Sequence, residues 1–190
     1  METKTKLIFS VIILAIMAST IVAYADPPGS NLSEQRAAMS LESAIMALQP
    51  AVNEIRAKRL GKIFTEAGNM HGFDPKFLVT IAFRESSLIS SIENRRRFGK
   101  AHNEIGLMQC HGAALSFRPD QCSDKLEGAW CQIHTGTKYL AHIRDNVCSG
   151  STWRVLAAYG SGRCMSEHEA RNTRGIRRVM RYYQAIGGRI

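Results

Sequence analysis

Glu85 is the residue whose type and position most invite chemistry. From residue 78 to 89 the chain reads Leu-Val-Thr-Ile-Ala-Phe-Arg-Glu-Ser-Ser-Leu-Ile. On a helical wheel of about 100° per residue, with Leu78 at the origin, Ile81 falls near 300°, Ala82 near 40°, Ile89 near 20° and Glu85 near 340°. A carboxylate at the centre of an apolar stripe loses its water, and near a helix C-terminus it meets the negative end of the helix dipole. Both effects penalise the ionised form. The pattern therefore predicts a Glu85 carboxyl that keeps its proton above the ordinary carboxylate range, as a general acid must, a role that contributes about 10² to 10⁴ in rate. Arg84 is its nearest basic neighbour in sequence, but adjacent residues do not face each other on a helix, so no cancellation of that penalty is expected. A structural Glu hydrogen-bonded inside the protein would produce the same wheel, so the wheel alone does not decide the role.

The elements around Glu85 can be read from caps and periodicity. Asp74-Pro75 supplies an N-cap side chain and a proline at the first helical position, which starts a helix running to about Leu88 or Ile89. Before it, residues 32–48 read as a first helix with Leu41, Ala44, Ile45 and Leu48 in phase and Asn31 or Ser33 as cap. Val52, Ile55, Ile63 and Phe64 mark a second helix after Pro50, ending near Gly68-Asn69, and residues 70–73 form a turn. Residues 90–103 are polar, Arg-rich and aperiodic, a surface loop able to hide a short strand. Gly106 to Gln109 and Gly112 lie in irregular chain. Helices are then expected over residues 129–143, 153–159, stopped by Gly160-Ser161-Gly162, and about 172–186.

The N-terminus sets the compartment. Lys4 and Lys6 precede an apolar run over residues 7–23, and Ala23-Tyr24-Ala25 stands before Asp26. That is the layout of a secretory signal peptide cleaved after Ala25, which predicts an exported protein, periplasmic or secreted, touching a membrane only through an uncleaved signal segment. No cysteine near that point suggests a lipid anchor. The expected organisation is a signal peptide at 1–25, an N-terminal arm with Pro27-Pro28-Gly29 and a helix at 26–50, and one domain at 51–190. Net charge is +9, and losing Lys4, Lys6 and Glu2 leaves +8, which suits an acidic polymer as partner. Nucleic acid would use Arg95-Arg96-Arg97 or residues 171–181, but export and the absence of a nucleic-acid module pattern argue against it, and solvated basic faces explain such runs.

Five cysteines, Cys110, Cys122, Cys131, Cys148 and Cys164, in an exported chain favour disulfides. One free cysteine and two pairs allow fifteen arrangements, which the sequence does not resolve. The preferred pairs are Cys122 with Cys131 and Cys148 with Cys164, with Cys110 as a buried free thiol where a small apolar residue is wanted. Cys131 with His134 could be half a metal site, but the other spacings fit no zinc pattern, so neither metal nor cofactor is expected.

With these residues in place a resemblance becomes visible. Gly72-Phe73-Asp74-Pro75 followed by Ile81-Ala82-Phe83-Arg84-Glu85-Ser86 resembles the catalytic helix of the soluble lytic transglycosylases, which have a lysozyme-like fold. Gly106-Leu107-Met108-Gln109 is similar to that family's Gly-Leu-Met-Gln motif. Residues 133–140, with Gly136 and Tyr139, resemble its Gly-x-x-Tyr-Leu helix, and Ala157-Ala158-Tyr159 resembles its Ala-Tyr-Asn block. Four blocks in the family's order, over roughly residues 67–183, form a specific signal. The resemblance implies a mainly α, lysozyme-like domain with at most a small β element. It also implies cleavage of the bond between N-acetylmuramic acid and N-acetylglucosamine in peptidoglycan glycan strands. Glu85 would protonate the glycosidic oxygen and then, as base, help the sugar's own 6-hydroxyl close a 1,6-anhydro ring, so that one carboxylate suffices where ordinary glycosidases use two. Tyr159 would direct its hydroxyl to Glu85 or the substrate, while Ser86, Gly106, Met108 and Gln109 would line the sugar site, Gln109 reading an N-acetyl group. Core packing is the alternative for Met108.

Departures from the family pattern matter too. Gly160 stands where the family has Asn, and the 20 residues between Glu85 and Gly106 lack its Ala-x-Ser-x-x-Gly-Ala block. The long form looks more like enzymes attached to secretion, conjugation or phage machinery. Two rival readings stay open: a lysozyme-type hydrolase with Glu104 as the second carboxylate, and a non-catalytic wall-binding or assembly protein on the same fold. A serine hydrolase is disfavoured because Gly160-Ser161-Gly162 lacks the outer spacing of a nucleophile elbow.

Overall fold

Helix boundaries in this chain are set by side chains that satisfy the unpaired amides and carbonyls of helix ends. A computed structural model describes residues 38–89 and 104–189, all within one unit, Leu32–Ile190. The expected signal peptide, the Pro-Pro-Gly connector, the expected caps Asn31 and Ser33, and the Arg-rich stretch 90–103 lie outside the described residues.

The protein is mainly helical. Seven α-helices occur among the described residues: α1 Leu41–Leu48, α2 Glu54–His71, α3 Pro75–Ser86, α4 Gly128–His142, α5 Thr152–Ser161, α6 Glu167–Asn172 and α7 Arg174–Ala185, with a 3₁₀ turn at Gly112–Phe117 and a π turn at Ile143–Val147. The described residues hold no strand, only an isolated antiparallel bridge between Ile105 and Cys110, and none of their helices is long and apolar enough to cross a membrane.

Helix α3 occupies the middle. Asp74 caps it by accepting the Lys76 N–H at 2.8 Å, while the second Asp74 oxygen accepts the Tyr183 hydroxyl at 2.6 Å and ties α7 to the same cap. Phe77, Leu78, Val79, Thr80, Ile81 and Ala82 are all buried. A helix buried all round is a core element rather than a surface helix with one apolar stripe, and α1, α2 and α7 pack around it. Thr80 avoids an orphaned hydroxyl by donating to the Lys76 carbonyl at 2.8 Å.

Several expected boundaries shift. Ser40, not Asn31 or Ser33, caps α1, accepting the Ser43 N–H at 3.2 Å, and residues 38–40 are not helical. Asn53 caps α2 by accepting the Arg56 N–H at 2.9 Å, which leaves buried Val52 ahead of the helix and Ile55 at 82% exposure. Helix α2 continues through Met70 to His71 and stops at Gly72, whose φ of 69° suits the left-handed cap. Arg144 donates to the His71 and Gly72 carbonyls at 3.0 and 3.1 Å. Helix α3 ends at Ser86 because Ser87 and Leu88 turn left-handed, with φ of 54° and 56°. Ile89 therefore leaves the apolar stripe and is exposed. The expected last helix over about 172–186 is α7, and a short helix that was not expected, α6, precedes it, capped by Ser166 accepting the Glu169 N–H at 3.2 Å and separated from α7 at the extended residue Thr173.

Disulfides join Cys122 to Cys131 and Cys148 to Cys164, and Cys110 is a buried free thiol, matching the preferred pairing. The first fixes the approach to α4 and the second ties the π turn to the end of α5.

Candidate active site

Glu85 stands one residue before the end of α3, and that end is held on two sides. Gln49 donates to the Ser87 carbonyl at 2.9 Å and Arg56 to the Leu88 carbonyl at 3.3 Å, satisfying oxygens that the helix itself leaves open. Glu85 keeps 19% of its side chain exposed and opens into a small cleft of about 80 Å³, which Glu104, Gln109, Tyr139, Tyr159 and Gly160 also line.

Arg84 does reach Glu85. Its Nη1 lies 3.2 Å from Glu85 Oε1, contrary to the expectation from adjacent wheel positions. A wheel treats side chains as radial spokes, whereas an arginine stem is long enough to bend back along its own helix. The carboxylate is thus subject to opposed influences, since burial penalises its charge and the guanidinium compensates it. Gly160 makes the space: a Cβ there would lie 2.9 Å from Arg84 Nη1. The departure from the family's Asn is therefore coupled to the arginine beside the acid.

The Gly106 to Gln109 segment is a tight turn closed by the bridge at Ile105 and Cys110, whose N–H···O contacts are 2.9 and 3.0 Å. Gly106 has φ of 72°, and a Cβ there would come within 2.1 Å of the Gln132 side chain. Only glycine meets both demands. Gln132, on α4, accepts the Leu107 N–H at 2.9 Å and donates to the Leu126 carbonyl at 3.0 Å, so the buried amide clamps the turn to the helix. Gln109 donates its Nε2 to the Gly106 carbonyl at 2.7 Å. Its Oε1 is buried and lacks a hydrogen-bond partner among the described residues. An unmet buried acceptor costs about 1–3 kcal/mol, and at a cleft wall it is available to a ligand N–H or O–H.

Three proposed site residues do other work. The Ser86 hydroxyl is buried, donates to the Ala82 carbonyl at 2.9 Å and accepts the Leu88 N–H at 3.2 Å, so it shapes the end of α3 and does not line the cleft. The Met108 side chain is fully buried and packs on Gly136, the core role rather than the sugar-lining one. Gly106 contributes backbone shape. Tyr159 does line the cleft, but its hydroxyl donates to the Met108 carbonyl at 2.6 Å and not to Glu85. Burial, with Cys110 and Glu85 adding, pushes that hydroxyl well above its ordinary pKa, so it stays a neutral donor that fixes the turn. Glu104, proposed as a possible second carboxylate, does share the cleft with Glu85.

Sequence reasoning missed His111, which also lines the cleft and has Nδ1 3.3 Å from the Gln109 carbonyl; its place after the turn was the available signal. No group of three His, Cys, Asp or Glu side chains among the described residues could hold a metal ion, and Cys131 is spent in a disulfide.

Against this geometry, residues 62–178 match the family model of the transglycosylase SLT domain. The chain belongs to that family. Neither the curated proteins nor the solved structures give a match. The matched segment takes in most of α2, all of α3 to α6 and the start of α7, and so contains every residue of the cleft. Membership brings a lytic transglycosylase type of activity on peptidoglycan and the lysozyme-like fold, in agreement with the helical architecture.

Proposed function

We propose that the protein cleaves the β-1,4 bond between N-acetylmuramic acid and N-acetylglucosamine, leaving a 1,6-anhydro-muramoyl end, with Glu85 as both acid and base. The observation that carries this reading is Glu85 at the end of α3, partly buried and opening into a cleft beside an acceptor that has no hydrogen-bond partner among the described residues, Gln109 Oε1. In the first step Glu85 gives its proton to the glycosidic oxygen as the bond to the muramoyl anomeric carbon breaks. In the second, the resulting carboxylate takes the proton of that sugar's 6-hydroxyl while its oxygen bonds to the anomeric carbon. The proton balance closes on one residue. Gln109 Oε1 accepts the N–H of an N-acetyl group and orients the sugar, and Tyr159 keeps the turn bearing Gln109 in register. The protein acts outside the cytoplasm after cleavage at Ala25, and wall-spanning secretion, conjugation or phage machinery is the setting that its long form suits.

A second reading is favoured by one observation, the entry of Glu104 into the same cleft. In a hydrolase that carboxylate would activate water. The deciding comparison is between Glu85→Gln and Glu104→Gln on purified peptidoglycan. The transglycosylase reading expects the first to fold normally and lose nearly all cleavage, roughly 10²-fold or more, and the second to retain most of it. Full activity of Glu85→Gln would overturn the assignment, and equal loss in both variants would favour hydrolysis.

A further inference from the structure

A second groove, larger than the cleft, lies away from Glu85. A cavity of about 410 Å³ lies between α5 and α7, with Trp153 as one wall and Arg174, Arg177 and Arg181 on the other. Helix α7 carries Arg174, Arg177, Arg178 and Arg181 and no acidic residue. All four are exposed, and among the described residues none pairs with a carboxylate. Their spacings of three and four place like charges side by side, which costs a few tenths of a kcal/mol per pair, and Arg174 opens the helix, where the dipole disfavours a cation. Folding alone gives no reason for this arrangement. Ile176, Val179, Met180 and Tyr183 turn the apolar face of α7 into the core, so the helix cannot bury that face in a bilayer.

From this geometry we infer that the α7 arginine groove binds the carboxylates of a peptide stem carried by the glycan being cleaved. The inference rests on the peptidoglycan reading above. Peptide stems end in carboxylates, and guanidinium groups grip carboxylates in a forked, bidentate way. A concave groove walled by Trp153 admits a chain rather than a plane. The helix that carries the groove's arginines also reaches the chemistry: at Gly175, next to Arg174, a Cβ would lie 3.5 Å from Nη2 of Arg84, the neighbour of Glu85. From there Arg181 is six residues on, about 9 Å along the helix. The groove therefore makes the enzyme selective for glycan that still bears its stems.

The test uses the full chain in a Glu85→Gln background, so that binding is read without cleavage, and compares it with the same chain carrying Arg174→Gln, Arg177→Gln and Arg181→Gln. Cosedimentation is measured with stem-bearing peptidoglycan, with glycan stripped of its stems by an amidase, and with phosphatidylglycerol vesicles. Tighter binding to stem-bearing material is expected, with the advantage falling about tenfold in the triple variant and weakening as salt rises. The triple variant should melt no lower than its parent, since it relieves like-charge crowding; if it fails to fold, Arg177→Gln alone replaces it with a smaller loss of the advantage. Equal binding to the two glycans, or an advantage untouched by the substitutions, overturns the inference, as does arginine-dependent binding to vesicles without preference for stems. Absence of binding to either glycan would instead overturn the peptidoglycan reading on which it rests.

Discussion

The Tyr159 hydroxyl donates to the Met108 carbonyl at 2.6 Å, linking α5 to a turn 51 residues earlier in the chain. The bond carries no proton to the substrate. Its effect is positional, because Met108 precedes Gln109, whose backbone is held at a strained φ of 49°.

Tyr159→Phe removes that bond and leaves the Met108 carbonyl short of a donor. A loss of about 1 kcal/mol of stability is expected, with a fall in kcat of several-fold rather than the near-complete loss expected at Glu85. Melting curves and peptidoglycan-digestion rates check this. Activity as low as that of Glu85→Gln would make Tyr159 a direct participant in the reaction.

His134 gives the fold a pH dependence. Its side chain is almost fully buried, its ring stacks on Trp130 at 4.0 Å, and Nε2 lies 3.7 Å from Glu66 Oε1. Burial lowers its pKa below the ordinary 6.5, Glu66 opposes the shift and His71 adds to it. The unfolded chain therefore binds a proton more readily than the folded one over that window, so stability is full above about pH 6.5 and falls as pH drops toward the lowered value. Thermal melts between pH 8 and 5 should show a shallower acid decline for His134→Gln than for the wild type. Parallel declines would remove His134 from the account.

The cysteines predict a labelling pattern. Burial pushes the Cys110 thiol up to about 12, and thiolate is the reactive form, so iodoacetamide should modify no cysteine in the native oxidised protein. Unfolding without reductant should expose one, and unfolding with reductant all five. Each disulfide closes a short loop, with separations of 9 and 16 residues, and its loss should cost about 3 kcal/mol. Labelling of native Cys110 would contradict its burial.

What could be read in the sequence was what short-range chemistry determines. Asp74-Pro75 started α3 as expected because a cap and an N1 proline act on their own helix. Glu85 is legible because Leu78, Ile81 and Ala82, which share its side of the wheel, are apolar and buried, although the helix is buried on its other faces too. The reach of Arg84 is not legible locally because it depends on space left by Gly160, 76 positions away in the chain. The motifs point to Ser86 and, with core packing as its alternative, Met108, but a motif records which residues recur and not which atoms face the cleft; one spends its hydroxyl on α3 and the other its side chain on Gly136. Helix α6 was missed although its start carries a signal: Ser166 and Glu169 have the S-x-x-E spacing of a capping box, but six residues are too few to show a helical period.

The products of digestion record which oxygen attacks the anomeric carbon. Purified peptidoglycan digested by the full chain and resolved by mass spectrometry should yield muropeptides with 1,6-anhydro-muramoyl ends, one water lighter than reducing ends, and none from Glu85→Gln. Reducing ends in their place would show that water is the nucleophile and would contradict the account.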